Sequence, residues 1–409
     1  MVKISLKTLL KNLKKNYLLI IILFFALIGS FRLWQKLAFI KHTHFTDFAF
    51  SLLHGKISLP EPVRYSSWQD AAYFKEKYYL YFGPIPAILL LPAVAIWGQA
   101  VSQQILTFMA GIINFFLLFK LAKIFKFKNS DALWLTVALI FGSVYLFLSL
   151  VNISAYLIQI IGFTFLIISL VEFFTKKRWI LIGVFLALAG MTRPSLYFAL
   201  PFFLLEIIQS KTANKKSIFI LLIFPIIISI GIFGFYNQLR FGNPLDTGYT
   251  YNTTWPPGVR EAASYGLFSL RHLPGNFYFF FFKGPEAIRI SKTSYLLRFP
   301  FLKANEWGMG LFFTSPFFLF IFLSNLKKKF VTSSIIASII GIFPSFLYAG
   351  IGLWQYGYRY ALDIYPFLFI LLLSVFSQKG INRLVKATIT FSIIFNLWLL
   401  GSIWGVYLF

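Results

Sequence analysis

Apolar runs of about 20 residues recur along the whole sequence, and they constrain the fold more than any other feature. A helix of that length spans about 30 Å, which is the thickness of the hydrocarbon core of a bilayer. Hydrophobic residues make up 59% of the 409 residues and charged residues only 12%. Soluble domains carry about twice that share of charge. The sequence therefore predicts an all-α polytopic membrane protein.

The distribution of basic residues predicts how these runs cross the membrane. The formal net charge is +26, and the lysines and arginines stand in small groups between the runs. This pattern follows the positive-inside rule, so it does not indicate nucleic-acid binding. It predicts about eleven spans, with the N-terminus inside and the C-terminus outside. The predicted spans are residues 17–39, 101–125, 132–151, 154–174, 179–191, 195–208, 218–238, 307–324, 332–352, 363–376 and 388–407.

Two large loops are predicted on the outer side: residues 40–100, here called the first loop, and residues 239–305, the second loop. The first loop contains the apolar run Ile85–Trp97, which lies between Pro84 and Gly98. At about 1.5 Å per residue this run is too short to cross the membrane. If it did cross, the basic group that follows, residues 120–128, would lie outside. We therefore expect the run to lie at the outer interface.

Charge is concentrated in the first loop, which holds four of the 12 acids and three of the four histidines. Helical spacing places Asp47, Ser51 and His54 on one face of a short amphipathic segment that ends at Gly55. Asp47 can act there as a catalytic acid or base. Equally, it can only complement the dipole of the helix N-terminus, worth about 0.3–1 kcal/mol. The spacing alone leaves both interpretations open.

Metal binding is not predicted. The chain has no cysteine, so thiolate ligands and disulfides are excluded. His42, His44 and His54 lack a carboxylate at short spacing that would complete a ligand set, so we expect them to be solvated loop residues. Phosphate-binding glycine loops and serine elbows are also missing from the sequence, which gives no support to ATP-driven transport.

Three arginines stand at the outer ends of predicted spans: Arg193, Arg240 and Arg359. The guanidinium group forms paired hydrogen bonds with phosphate oxygens, and arginine at membrane depth is a candidate for function. A single arginine in this position more often contacts lipid headgroups. Three at one level, with aromatic neighbours such as Tyr358, favour an anionic, lipid-linked ligand.

The order of short motifs resembles the GT-C superfamily of integral membrane glycosyltransferases. The closest resemblance is to bacterial relatives of the protein O-mannosyltransferases and of the aminoarabinose transferase of lipid A. The motifs are T-D-F at residues 46–48, K-Y-Y-L-Y-F-G-P-I-P at 77–86, T-R-P at 192–194, R-F-G at 240–242 and Y-R-Y at 358–360. Asp47 is followed by Phe48 and not by a second acid as in the mannosyltransferases, which leaves the donor and acceptor open.

The resemblance implies a single GT-C-like transmembrane domain over residues 1–409 in the cytoplasmic (inner) membrane, with its active site on the outer face. It implies transfer of a sugar from a polyprenyl-phosphate donor to a lipid, glycan or protein acceptor. Asp47 would be the general base. Lys77, Arg193 and Arg359 would bind the donor phosphate. Asp70, Tyr79, Tyr81, Arg240 and Tyr358 would bind the sugar or acceptor. A divalent metal is compatible with this chemistry but is not required.

A non-catalytic lipid transporter or flippase is the alternative class. It would explain the spans and the outer arginines, but not an acid at the head of a helix beside the membrane. A flippase would also be expected to carry ionisable residues midway through its spans. Glu172 and Glu206 lie near the inner ends of their predicted spans, so the sequence favours an enzyme.

Overall fold

The computed structural model describes residues 6–60, 70–252, 254–377 and 380–403, with side chains from Tyr17 onward. The end of the last predicted span, residues 404–407, and residues 61–69 of the first loop lie outside this description. The described chain is mostly helical, with two small antiparallel hairpins. The prediction of an all-α membrane protein is confirmed at this level.

The helices and strands are numbered in chain order. The first half contains α1 (Leu6–Lys36), α2 (His44–Leu53), β1 (Ala71–Phe74), β2 (Lys77–Leu80), α3 (Ile85–Trp97), α4 (Gln104–Ile124), α5 (Asn129–Phe141), α6 (Val144–Leu150), α7 (Ser154–Phe174) and α8 (Trp179–Thr192). The second half contains α9 (Leu200–Gln209), α10 (Lys215–Phe241), α11 (Pro257–Ala263), α12 (Leu273–Phe281), β3 (Glu286–Arg289), β4 (Leu297–Lys303), α13 (Leu311–Thr314), α14 (Val331–Leu347), α15 (Tyr365–Phe376) and α16 (Arg383–Ile403). Short 3₁₀ helices cover Gly98–Ala100, Pro194–Ala199, Tyr249–Tyr251, Leu270–His272, Pro316–Leu323 and Arg359–Ile364.

Six helices in the described ranges are long and apolar enough to cross a membrane, and the bent pair α5–α6 makes a seventh if counted as one span. Four other apolar segments, α3, α8, α9 and α14, are shorter. The six long apolar helices are Tyr17–Lys36, Gln104–Ile124, Ser154–Phe174, Lys215–Phe241, Arg359–Phe376 and Arg383–Ile403. The count of about eleven spans and the two-sided topology therefore stay predictions.

Two predicted spans differ from single straight helices. Residues 132–151 break between α5 and α6 with a bend of 62°. Ser143 is extended at the break and its hydroxyl accepts a hydrogen bond from the Tyr145 amide, so it caps the new helix. Residues 307–324 form only α13 and the 3₁₀ helix Pro316–Leu323. Pro316 has no amide hydrogen and cannot continue the preceding helix.

Burial separates inner helices from peripheral ones. In α7, 78% of the most apolar stretch is buried inside the protein, and in Arg359–Phe376 the buried share is 89%. The corresponding share is 22% in α10, whose exposed face includes Ile227 and Phe235. Exposed apolar side chains on long helices are suited to contact with lipid chains. The segments α7 and Arg359–Phe376 therefore form the centre of the bundle, and both contribute to the site described below.

The first loop folds back onto the helices through defined contacts. The start of α2 is held by hydrogen bonds from the Phe45 amide to Gln103 Oε1 and from Thr46 Oγ1 to the Val101 carbonyl, both 3.0 Å. Strands β1 and β2 pair through a two-residue turn at Lys75 and Glu76, both with positive φ, as tight hairpins require. The helix α3 has the predicted bounds, Ile85 to Trp97.

Gly83 sets the distance between the first loop and the end of α8. A Cβ atom at this position would lie 1.8 Å from the Met191 carbonyl oxygen, so only glycine permits the contact. The next residues are Thr192 and Arg193, where the helix stops. Pro194 follows Arg193, and a proline disfavours helical geometry at the residue before it. Arg193 is therefore extended. The two short helices predicted around this T-R-P motif are therefore present, as α8 and α9.

Candidate active site

Asp70 is the first-loop acid that lies among the arginines and tyrosines of the bundle. Its backbone has φ of 69° at the start of the β1–β2 hairpin, where the chain turns inward. The Tyr81 hydroxyl donates a hydrogen bond of 2.9 Å to Asp70 Oδ1, and Asn252 Nδ2 donates one of 3.1 Å to that hydroxyl. Burial raises the pKa of Tyr81, and the charge of Asp70 raises it further. Tyr81 therefore keeps its proton and stays the donor.

His42 lies beside Asp70, with 4.0 Å between His42 Nδ1 and Asp70 Oδ2. Burial lowers the pKa of His42, and the charge of Asp70 opposes this only in part. His42 is therefore neutral near pH 7. The expectation of solvated histidines is wrong for His44, which is fully buried with Nδ1 2.9 Å from Ser154 Oγ, and for the mostly buried His42. It holds for the exposed His54.

Arg359 begins the 3₁₀ helix Arg359–Ile364 and is held mainly by aromatic rings. Its guanidinium carbon lies 5.4 Å from the ring centre of Tyr156 and 4.8 Å from that of Tyr360. Nη1 makes one long hydrogen bond of 3.4 Å to Gln159 Oε1, and Asp70 is close enough for the two charges to interact. The Nε atom is buried without a hydrogen-bond partner among the described residues. A buried donor of this kind is suited to an incoming acceptor.

Arg193 is paired with Asp363 of the same 3₁₀ helix. Arg193 Nε lies 3.0 and 2.9 Å from the two oxygens of Asp363, and Ser195 Oγ donates a third bond of 2.7 Å. Both side chains are mostly buried: 3% of the Asp363 side chain and 12% of the Arg193 side chain are exposed. The Arg193 guanidinium also lies over Tyr360, at 4.9 Å. Its Nη atoms donate no hydrogen bond to the described residues.

Tyrosine rings connect these charged groups across the loops. The Tyr249 ring lies 4.4 Å from that of Tyr81, and Tyr348 lies within 6.2 Å of both Tyr249 and Tyr360. Burial raises the pKa of Tyr249, so this residue remains neutral. We call this set the arginine–tyrosine cluster. Its members are Asp70, Tyr81, Tyr156, Arg193, Tyr249, Tyr348, Arg359, Tyr360 and Asp363.

Asp47 occupies the first turn of α2 and is buried, with 2% of the residue exposed. Thr43 Oγ1 donates a hydrogen bond to its Oδ2 and Gln99 Nε2 donates one to its Oδ1, both 2.9 Å. These bonds fix the carboxylate between the start of α2 and the segment after α3. The position fits a helix-terminal carboxylate as well as an oriented base, so both interpretations made from the sequence remain open.

The other predicted site residues take supporting positions. Lys77 is exposed on β2 next to the hairpin turn, at the opposite end of the strand from Leu80, so the structure does not bring it to the arginines. Arg240 donates to the Leu80 carbonyl and to Asn237 Oδ1, and its guanidinium stacks on Tyr236 at 3.8 Å. It therefore fastens the end of β2 to α10.

Tyr79 and Tyr358 are packed inside the protein. The Tyr79 ring lies 5.5 Å from Phe241, on the inward face of β2. The Tyr358 hydroxyl donates a bond of 2.9 Å to Asn276 Oδ1 of α12. Both side chains are buried, so these contacts give them a packing role. Of the predicted residues, Asp70, Tyr81, Arg193 and Arg359 are the four that come together.

Sequence reasoning did not name Asp363, Tyr156, Tyr249 or Tyr348 as site residues, and it noted Tyr360 only within the Y-R-Y motif. A signal for Asp363 was present, because an acid at the start of an otherwise apolar run is costly and marks a functional or paired residue. The tyrosines gave no such signal in a chain with 21 of them. No group of three or more His, Asp or Glu residues that could hold a metal ion occurs in the described ranges.

Comparisons with protein-family models, curated proteins and solved structures find no match to this chain. The resemblance to the GT-C superfamily therefore depends on the motifs of the sequence alone.

Proposed function

We propose that this protein is a membrane glycosyltransferase that moves a sugar from a polyprenyl-phosphate carrier to an acceptor at the outer face of the cytoplasmic membrane. The observation that carries the proposal is the arginine–tyrosine cluster. It joins two arginines, two carboxylates and several tyrosine rings at the junction of both loops with the inner helices. Arginine, carboxylate and aromatic groups in one enclosed site suit a sugar phosphate.

Arg193 and Arg359 would hold the phosphate. Both guanidinium groups lie next to the same ring, that of Tyr360, at 4.9 and 4.8 Å. Arg359 Nε and the Nη atoms of Arg193 can donate to phosphate oxygens. Two cations that stay in place would stabilise the charge on the departing phosphate, which is the main electrostatic need of the step. The scheme needs no metal ion for this charge.

Asp70 and the tyrosines would bind the sugar. A carboxylate accepts hydrogen bonds from sugar hydroxyls, and the neighbouring Tyr81 and Asn252 fix its orientation. The faces of Tyr81 and Tyr249 form an apolar wall on which a sugar ring can stack. Because Asp70 interacts with Arg359, it belongs to the phosphate side of the site.

The base would act from the opposite side of the anomeric carbon. In the proposed step, the base takes the proton of the acceptor hydroxyl, and that oxygen forms the new bond to the anomeric carbon. The bond from this carbon to the phosphate oxygen breaks, and its electron pair leaves with the phosphate. We assign the base to Asp47, the buried acid in the first turn of α2, whose carboxylate is oriented by Thr43 and Gln99.

The proposal is tested by reconstituting the purified protein into nanodiscs and supplying a panel of polyprenyl-phosphate sugars with candidate lipid, glycan and protein acceptors. We expect one donor to lose its sugar to an acceptor, with release of polyprenyl phosphate. A transporter would instead move a donor across a liposome membrane without cleaving it. Movement without cleavage for every donor that binds would replace the enzyme by the alternative class.

A further inference from the structure

The hairpin β3–β4 in the second loop is exposed on both faces. Successive side chains of a strand point to opposite faces, so a packed hairpin shows alternating burial. Every residue of β4 except Pro300 is exposed, and Tyr295 and Phe299 are 88% and 79% exposed. A two-stranded hairpin with no cover is only marginally stable in water. The rest of the described chain does not provide this cover.

The exposed side chains of the hairpin are apolar and basic. The apolar group comprises Ile290, Tyr295, Leu296, Leu297, Phe299, Phe301 and Leu302. The basic group comprises Arg289, Lys292, Arg298 and Lys303. We call these residues together the hairpin surface. The acid within the hairpin, Glu286, is bonded to Lys283 and Asn305 and lies 3.8 Å from Lys303. This pair offsets the charge of Lys303, and Arg289, Lys292 and Arg298 keep the surface cationic.

The base of the hairpin lies at the end of a helix that can cross the membrane. The Ala304 amide, directly after β4, donates a hydrogen bond of 3.1 Å to Ser402 Oγ. Ser402 is in the last turn of α16, one of the six long apolar helices. The end of such a helix lies near the boundary between lipid chains and headgroups. The hairpin therefore starts at the level of the headgroups.

An open depression beside β3 adds a site of phosphate size or larger. It has a volume of about 660 Å³ and is lined by Glu286, Ala287, Arg289, Ile290, Ser291 and Lys292. Because Glu286 is paired with Lys283, the lining groups that can bind an anion are Arg289, Ser291 and Lys292. Two cations and a hydroxyl are the groups that a lipid phosphate requires. Aromatic and basic side chains together are also typical of protein segments at the membrane interface.

We propose that the hairpin surface lies in the headgroup region of the same membrane and binds anionic phospholipid. The aromatic and aliphatic side chains enter the boundary of the acyl chains, while the arginines and lysines meet the lipid phosphates. The occupant is a lipid and not a second protein, because the charge, the depression and the position at the end of α16 all match a headgroup layer. This proposal does not depend on the enzymatic one.

The natural chain has no cysteine, so single spin labels test the proposal directly. Phe299→Cys would carry the label, and its exposure makes the substitution tolerable. Phe224→Cys on the peripheral helix α10 gives the lipid reference, and Ser264→Cys at the end of α11 gives the aqueous reference. In nanodiscs, collisions with oxygen report lipid and collisions with a water-soluble nickel complex report solvent. We expect the Phe299 label to favour oxygen, as the Phe224 label does.

The charge is tested by lipid composition in the same labelled protein. When the nanodisc contains phosphatidylglycerol, the Phe299 label should lie deeper in the membrane than it does in pure phosphatidylcholine. Replacing Lys292 and Arg298 by glutamine should abolish that difference. A Phe299 label that matches Ser264 in both lipids would overturn the proposal. So would protection from both reagents together with broadening between two labels, because that result assigns the surface to a second copy of the chain.

Discussion

Arg193 and Asp363 lie 170 residues apart in sequence and form a buried pair, with Nε 3.0 and 2.9 Å from the two carboxylate oxygens. The pair joins the break between α8 and α9 to the central segment Arg359–Phe376. Ser195 adds a bond to the same carboxylate, and Tyr360 lies under the guanidinium. Asp363 therefore fixes the direction in which Arg193 points within the cluster.

Replacing Asp363 tests this positioning role. Asp363→Asn leaves the mostly buried Arg193 without its charge partner, and breaking such a pair typically costs about 3–5 kcal/mol. We expect a lower unfolding temperature in detergent and weaker donor binding. Glu261→Gln, at an exposed site on α11, is the matched control. If Asp363→Asn unfolds like the wild type, the pair does not hold the cluster together.

The arginines are tested by substitutions that keep the charge. In Arg193→Lys and Arg359→Lys, a point ammonium replaces the planar guanidinium and cannot donate the paired hydrogen bonds. A hydrogen bond to a charged group is worth about 1.5–3 kcal/mol, so donor affinity should fall about tenfold to a hundredfold. Arg271→Lys, at an exposed site in the second loop, should bind normally. Unchanged donor binding in both cluster variants would show that Arg193 and Arg359 do not bind the donor and contact lipid headgroups instead.

Acidification should destabilise the protein through His42. Its pKa is lowered by burial in the folded state, whereas in the unfolded chain it is about 6.5. Between these two values the unfolded chain binds more protons, so stability falls as the pH drops below about 6.5. The slope is at most about 1.4 kcal/mol per pH unit. Thermal unfolding of His42→Gln across pH should lack this slope, and His54→Gln should retain it. If both variants keep the same slope, a group other than His42 causes the pH dependence.

The topology is tested by labelling single cysteines in intact cells. We expect Arg271→Cys and Ser58→Cys to react with an impermeant reagent from outside, and Lys126→Cys to be protected. This arrangement alone combines the short α3 with an inner position for the basic residues after α4. Outside labelling of Lys126→Cys would make α3 a membrane span and change the number of crossings.

Local chemistry made several elements of the fold predictable. Pro84 and Gly98 bracket α3, and Pro194 ends α8, so both boundaries could be read from the sequence. The break at Ser143 could not, because residues on both sides are apolar and the reason for it is tertiary. A Cβ on the neighbouring Gly142 would come within 3.2 Å of Ser392 in α16, a contact that spacing does not report.

The site was predictable only in part, for the same reason. Arginines at the ends of apolar runs are visible as charges in an apolar context, and Arg193 and Arg359 do lie next to the same ring, that of Tyr360. Lys77 was predicted from the K-Y-Y motif of the resemblance, but the register of the hairpin places it at the exposed turn. The five tyrosines reach the cluster from five separate segments, and only the folded chain brings them together.

The rate of sugar transfer by Asp47→Asn, measured with saturating donor in nanodiscs, tests the account most directly. Asparagine has the size of aspartate, and its amide oxygen can keep one of the two hydrogen bonds from Thr43 and Gln99, so folding should change little. Loss of a general base should lower the rate about 10²–10⁴-fold, or roughly 3–5.5 kcal/mol of barrier. Asp70→Asn should weaken donor binding more than it slows sugar transfer from the bound donor. Near-normal transfer by Asp47→Asn, with loss of transfer in Asp70→Asn at saturating donor, would contradict the assignment of the base. Near-normal transfer by both variants would contradict the acid–base mechanism itself.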